Sequence, residues 1–193
     1  ADDSPRATRP VVPAPAEPAL DERRLTDVVD RLTEAQRRLL LPAMALAAAV
    51  VAWVFRFVQD DAFITFRYSR HFADGNGLVL NRGDRVEGYT NFLWTWLMAI
   101  PERQGWSTPT FSILVTIALM VATIFVAHHL ARLVTGDDRL ALLGAAVLVA
   151  NMSFVGYGTG GLETMLQTLL VTSVAALVLE PRGVAEPRPH QAL

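Results

Sequence analysis

The sequence contains no cysteine. Disulfide scaffolds, cysteine-ligated zinc and thiol nucleophiles are therefore excluded. It contains no lysine either, so all 17 basic residues are arginine. Charge of one sign is not in excess: 19 acidic residues leave a net charge of −2. That balance gives no reason to expect nucleic acid as a partner. No HExxH, zinc-ligand spacing, Walker loop or serine elbow is present.

What the 193 residues do have is apolar side chains in long blocks. The chain is 52% hydrophobic with a mean hydropathy of +0.31, and its charges gather between the blocks. This distribution predicts an all-α polytopic membrane protein rather than a soluble globule. Residues 1–20 hold five prolines and few large apolar groups, and read as a disordered tail. Residues 21–38 place Leu25, Val28, Val29 and Leu32 at helical spacing among charges, and read as a cytoplasmic amphipathic helix. They do not read as a signal peptide, because the charged lead is long and no small-residue cleavage site follows the apolar block. The transmembrane domain is expected over 39–180, with spans at about 39–58, 111–130, 140–155 and 162–179. The third span is the weakest, with Asn151 and Ser153 near its end. Residues 181–193 read as a cytoplasmic tail.

Arginine placement sets the expected orientation. Seven arginines precede the first span, which puts the N-terminus in the cytoplasm and the loop 59–110 outside. The segment 91–100 is apolar and aromatic but too short to span. It is expected to lie at the interface, with Trp94 and Trp96 at headgroup depth. Counting it as a span would put Arg132 and Arg139 outside, so parity favours four spans.

Polar chemistry collects in the outer loop. Asp60 and Asp61 stand at the mouth of the first span, where carboxylates are costly unless paired or liganded. They either cap a helix by the dipole rule, or serve as a general base or as partner to a metal or cationic donor. On a helix starting at Asp60, the 100° rotation puts Arg67 and His71 on its face, while Asp61 points toward Thr65 and Tyr68. Arg67 and Arg70 are candidate phosphate contacts, since guanidinium donates bidentately. Their structural alternative is lipid contact or an ion pair with Asp74. Turn signals at 74–77 and 81–84 make the loop compact. Glu87, Tyr89 and Asn91 lead into the interfacial helix, with Thr90 or Asn91 as its N-cap. The second outer loop carries Gly158, Gly160 and Gly161 before Glu163. Glu163 either caps the last helix or faces a cavity shared with Asp60. His128 and His129 read as interfacial and inert. A metal near Asp60 and Asp61 is conceivable, but two carboxylates are too few ligands to argue for one.

Three stretches together carry a resemblance: Asp60 to Tyr68, Gly75 to Asn81, and Arg85 to Trp94. They resemble the first-loop signatures of bacterial C-type membrane glycosyltransferases that use polyprenyl-phosphate sugars. Among these they look most like the actinobacterial terminal arabinofuranosyltransferases of the cell wall. Thr159 to Thr164 is similar to the second signature, which usually has a single small residue before Gly-Leu-Glu; here there are two glycines. The arginine-only, alanine-rich usage fits a high-GC actinobacterium by association.

The resemblance implies a bundle of ten or more spans, of which this chain would be the N-terminal part, with juxtamembrane helices in the first outer loop. It implies transfer of a sugar, arabinofuranose in the closest group, from a polyprenyl phosphate donor to a cell-wall polysaccharide. The site would lie on the extracytoplasmic side of a bacterial plasma membrane. Asp60 is then the catalytic or acceptor-binding carboxylate, with Asp61 second. Arg67, Arg70, His71, Glu87, Tyr89, Asn91 and Glu163 are the expected substrate contacts. The lipid bilayer and the remaining transmembrane segments are expected partners, and four spans alone are too few for activity. The rival reading is a non-enzymatic membrane protein, either a transporter fragment or an assembly subunit. Transporters, however, usually place their sites at the midplane on broken helices.

Overall fold

The computed structural model describes residues 33–83 and 86–180. The expected tails at 1–20 and 181–193 lie outside the described residues, as does most of the expected amphipathic helix.

The described chain is all-α, in seven helices: α1 (Glu34–Val54), α2 (Asp60–Ala73), α3 (Phe92–Gln104), α4 (Thr108–Thr135), α5 (Asp138–Ala150), α6 (Met152–Tyr157) and α7 (Thr164–Leu179). A capping box opens α1: Gln36 N donates to Thr33 Oγ1 (3.3 Å), and Thr33 N donates to Gln36 Oε1 (2.9 Å). Residues 34–38 therefore belong to the first apolar helix, not to a separate amphipathic one. The helix ends at Val54, short of the expected 58. There Arg56 folds back, its Nη1 donating to Trp53 O (2.7 Å) and its guanidinium lying 4.4 Å from the Trp53 ring centre. One side chain thus satisfies a terminal carbonyl and makes a cation–π contact.

The 28 residues of α4 run about 42 Å and the 21 of α1 roughly 31 Å, at 1.5 Å per residue. Both are long and apolar enough to cross a membrane. Only 17% of the apolar stretch of α1 and 33% of that of α4 is buried, which is the reverse of a soluble core helix. Leu46, Val50, Leu114 and Phe125 face outward, as do Val171, Val174 and Val178 on α7. The molecule is thus a helical membrane-associated protein. Hydroxyls inside α4 bond back to its own carbonyls, as expected: Thr116 Oγ1 donates to Ser112 O (2.9 Å) and Thr123 Oγ1 to Leu119 O (2.8 Å).

The expected third span is not one helix. The α5 helix stops after 13 residues, about 20 Å. Asn151 then turns to an extended conformation, and its Oδ1 accepts from Phe154 N (3.1 Å) to start α6. An Asn that finds a local backbone donor competes with the helix it sits in. The last apolar helix, α7, has 16 residues, about 24 Å.

Two cores hold the bundle. Ala45, Ala48 and Ala52 on α1 let it approach α4 closely, where Met120 and Ile124 fill the seam beside Val155 and Met165. Ala62, Phe66, Trp94 and Met98 form a second core between α2 and α3, closed by Leu162 and Leu166 at the start of α7.

Candidate functional site

The second core carries the site. Gln59 N donates to Gly160 O (3.0 Å), and Trp94 Nε1 donates to Gly161 O (3.0 Å). Trp94 is 1% exposed, so it is a buried clamp rather than a headgroup anchor; Trp96 remains at the surface. Gly161 has φ +78°, and a Cβ there would lie 3.0 Å from Val58 Cγ1 and 3.1 Å from Ala62 Cβ. Gly161 thus admits the protein's own α2, while Gly158 lies against Met120 of α4 and Gly160 against the Gln59 side chain. This packing brings the 158–163 loop against α2 and α3.

Asn91 and Glu163 occupy the N-cap positions of α3 and α7, yet neither side chain caps its helix. Asn91 Nδ2 instead donates to Glu163 Oε2 (2.7 Å) and to Thr65 Oγ1 (3.2 Å), while its Oδ1 accepts from Thr95 Oγ1 (3.0 Å). The amide's two protons are both used, which fixes its orientation. Nearby, Ser69 Oγ lies 2.8 Å from the carbonyls of both Thr65 and Thr95 and shares one proton between them. Thr65 with Ser69, and Asn91 with Thr95, are i,i+4 pairs on facing helices. Thr95 was not singled out from the sequence, although a threonine one turn after Asn91 in an aromatic run was the available signal.

A cavity of about 240 Å³ opens on this network, lined by Asp61, Thr65, Tyr89, Thr90, Asn91 and Glu163 among others. Asp61 is in its wall and Asp60 is not; Asp60 stands exposed in the first turn of α2. Glu163 therefore shares the cavity with the second aspartate of the pair. Tyr89 also lines a neighbouring 420 Å³ cavity with Asn76, Val79 and Glu87. Tyr68, buried in α2, holds this strand of loop: its hydroxyl donates to Val86 O (2.7 Å) and accepts from Gly88 N (3.0 Å), and its ring meets Tyr89 at 5.0 Å.

Arg67 and Arg70 are exposed but bonded to other groups of the protein. Arg67 donates through Nε to Leu80 O (2.8 Å) and through Nη2 to Asn81 Oδ1 (2.6 Å), tying the irregular 78–81 segment to α2. Arg70 pairs not with Asp74 but with Glu102 (3.0 Å). Glu102 also accepts from Thr108 Oγ1 (2.6 Å), joining α2, α3 and the start of α4. His71 Nδ1 is buried without a hydrogen-bond partner, as is Asn76 Nδ2. Phe66 is buried while Phe63, 5.5 Å away between ring centres, faces out. Among the described residues no group of three or more histidines or carboxylates is placed to hold a metal.

Two curated proteins are similar to part of the chain. The chain is 31% identical over 138 residues to a terminal beta-(1->2)-arabinofuranosyltransferase of Mycobacterium tuberculosis, covering 65% of this chain and 21% of that protein. It is 29% identical over 140 residues to the protein of the same name from Corynebacterium glutamicum, covering 66% and 20%. No protein-family profile matches it, and no solved structure matches it. The chain spans about a fifth of the length of these curated relatives, and shares with them a distant, partial similarity.

Proposed function

We propose that this chain forms part of the extracytoplasmic active site of a membrane glycosyltransferase. It would transfer a sugar, arabinofuranose by analogy with the relatives, from a polyprenyl phosphate to a glycan hydroxyl. The observation that carries the reading is the Glu163–Asn91 bond. It withdraws a carboxylate from helix capping and turns it into a cavity that also holds Asp61. In this reading α5 with α6, and α7, complete four crossings, and the α2–α3 layer lies on the outer surface.

The chemistry has a definite balance. The bond between the anomeric carbon and the phosphate oxygen breaks, and its electron pair leaves with the phosphate. The acceptor oxygen bonds to that carbon, and its proton passes to a carboxylate within hydrogen-bond reach. Asp61 is the better-placed base, and Asp60 acts from the exposed turn beside it. Glu163, held by Asn91, orients acceptor hydroxyls, and Tyr89 offers a ring face to the sugar. Arg70, paired with Glu102 and half a turn round α2 from Asp61, lies outside this cavity, so the charge that develops on the departing phosphate is met by groups other than Arg70. At 240 Å³ the cavity is below the roughly 300–1,000 Å³ of a drug-sized site, which suits one sugar ring with the lipid tail outside.

The test is a chimera in which this chain replaces the matching fifth of a curated relative. It would be assayed with a synthetic polyprenyl-phosphate arabinofuranose and an arabinan oligosaccharide. We expect transfer by the chimera, and a fall of about 100-fold or more in kcat for Asp61→Asn and Glu163→Gln. Unchanged turnover in both variants would remove this cavity from the reaction.

A further inference from the structure

A second polar constellation lies at the opposite end of the bundle, away from the α2–α3 layer. The first turn of α1 and the last turns of α4 meet the start of α5 there. They enclose a cavity of about 460 Å³ lined by Arg37, Arg38, His128, Arg132 and Asp138, with Leu41 and Leu142 as its apolar part. Arg37, Arg38, Arg132 and Asp138 thus share one wall among the described residues. Asp138 is shared: its Oδ1 lies 3.4 Å from Arg132 Nε and 3.5 Å from His128 Nε2. His128 Nε2 is buried and makes no hydrogen bond. Asp137, the neighbouring acid, is committed to capping α5, where it accepts from Arg139 N (2.8 Å). A further cavity of about 340 Å³ continues past Arg132 and Asp138 to His129 and Leu133.

We infer that this cavity binds the headgroup of an anionic phospholipid. The lining is cationic at the helix ends, where Arg37, Arg38 and Arg132 can donate to phosphate oxygens. One turn further in it becomes apolar, at Leu41 and Leu142, as an acyl chain requires. Depth agrees with this. The α4 helix is about 42 Å long against a hydrocarbon core of roughly 30 Å, so about one turn emerges at each end, which brings Arg132 to headgroup level with His128 one turn below it. Basic pockets between membrane helices are a recurrent way of holding anionic headgroups. The inference does not depend on the glycosyltransferase reading, because it uses none of the residues of the outer cavity.

The experiment uses the whole 193-residue chain in neutral detergent, with native mass spectrometry reading retained lipid. Phosphatidylglycerol is titrated against phosphatidylcholine, and inorganic phosphate serves as a soluble competitor. We expect at least five-fold preferential retention of phosphatidylglycerol, and loss of that preference in Arg132→Gln. Arg103→Gln, at the other end of the molecule, should leave it unchanged. Asp138→Asn removes the one carboxylate among the described residues that line the cavity and should strengthen retention, whereas a merely structural ion-pair cluster would lose stability and gain nothing. This second variant keeps the test decisive if Arg132→Gln fails to fold. Equal retention of the two lipids by the wild-type chain, or no gain in Asp138→Asn, overturns the inference. Displacement by phosphate without lipid preference overturns the lipid assignment in favour of a free anion.

Discussion

Asn91 and Glu163 each stand one residue before a helix, where a side chain of their kind usually bonds the free backbone amides. Their sequence positions were legible as N-caps, but their partners were not. A cap is a local property, whereas the Asn91–Glu163 bond joins residues 72 apart. Asn91→Ala should remove three hydrogen bonds at once and leave Glu163 and Thr95 short of partners. We expect a loss of about 2–3 kcal/mol, read by the thermal transition of Trp94 fluorescence. Asn91→Asp should be worse than alanine at neutral pH, since it sets a second carboxylate against Glu163. If alanine were harmless, the bond would be incidental. Gly161 makes a similar point about backbone. Gly161→Ala meets both a positive φ and the α2 side chains, and should cost about 2–4 kcal/mol. Gly75→Ala, at φ +79° but with open space around it, should cost only about 1–2 kcal/mol. Equal losses at the two sites would show that the close approach at Gly161 is not felt.

At the scale of elements, α2 begins at Asp60 as its acidic first turn predicts, and α4 lies over the strongest apolar block. Hydropathy and dipole rules read such features because they depend on residues close in sequence. The expected helix over 91–100 instead runs through Pro101 to Gln104. It ends where Gly105 adopts a left-handed conformation (φ 70°). Proline commonly ends a helix, but Glu102 beyond it is tied to Arg70 and Thr108, and those tertiary bonds accompany the extension. Their strength is testable. Glu102 is only 12% exposed on its side chain, so Arg70→Gln leaves a largely buried carboxylate without its cation. Allowing for the solvent around Arg70, we expect a loss of about 1–2 kcal/mol, with α2 and α3 loosening together in amide exchange. Exchange confined to α2 would show that the pair does not couple them. The break at Asn151 was signalled in sequence as a weakness of the third span. Its conversion into a new helix start depended on Phe154 N being free to donate, which periodicity does not report.

At the scale of the whole molecule, the polar cavities sit at two opposite ends of an apolar bundle. That separation was readable from the clustering of charge, although the basic end was taken for inert histidines. The missing cysteine supplies a clean background for testing orientation. Single substitutions Asp74→Cys and Thr110→Cys, both at exposed positions, should react with an impermeant thiol reagent in intact cells. Thr135→Cys, exposed at the far end of α4, should react only after the membrane is opened. Labelling of Thr135→Cys in intact cells would reverse the proposed topology.

The lengths of α4 and α7 have a mechanical consequence. The two helices pack directly against each other, yet one measures about 42 Å and the other about 24 Å. Under the proposed topology α4 takes up its excess length by tilting or emerging, and it is α7 that the leaflets would thin to match, by several ångströms at a fraction of a kcal/mol for each. That thinning would fall at the helix that begins next to Glu163, where a lipid with its head sunk below the general surface would relieve it. The bilayer would then form a shallow funnel whose lowest point lies at the cavity.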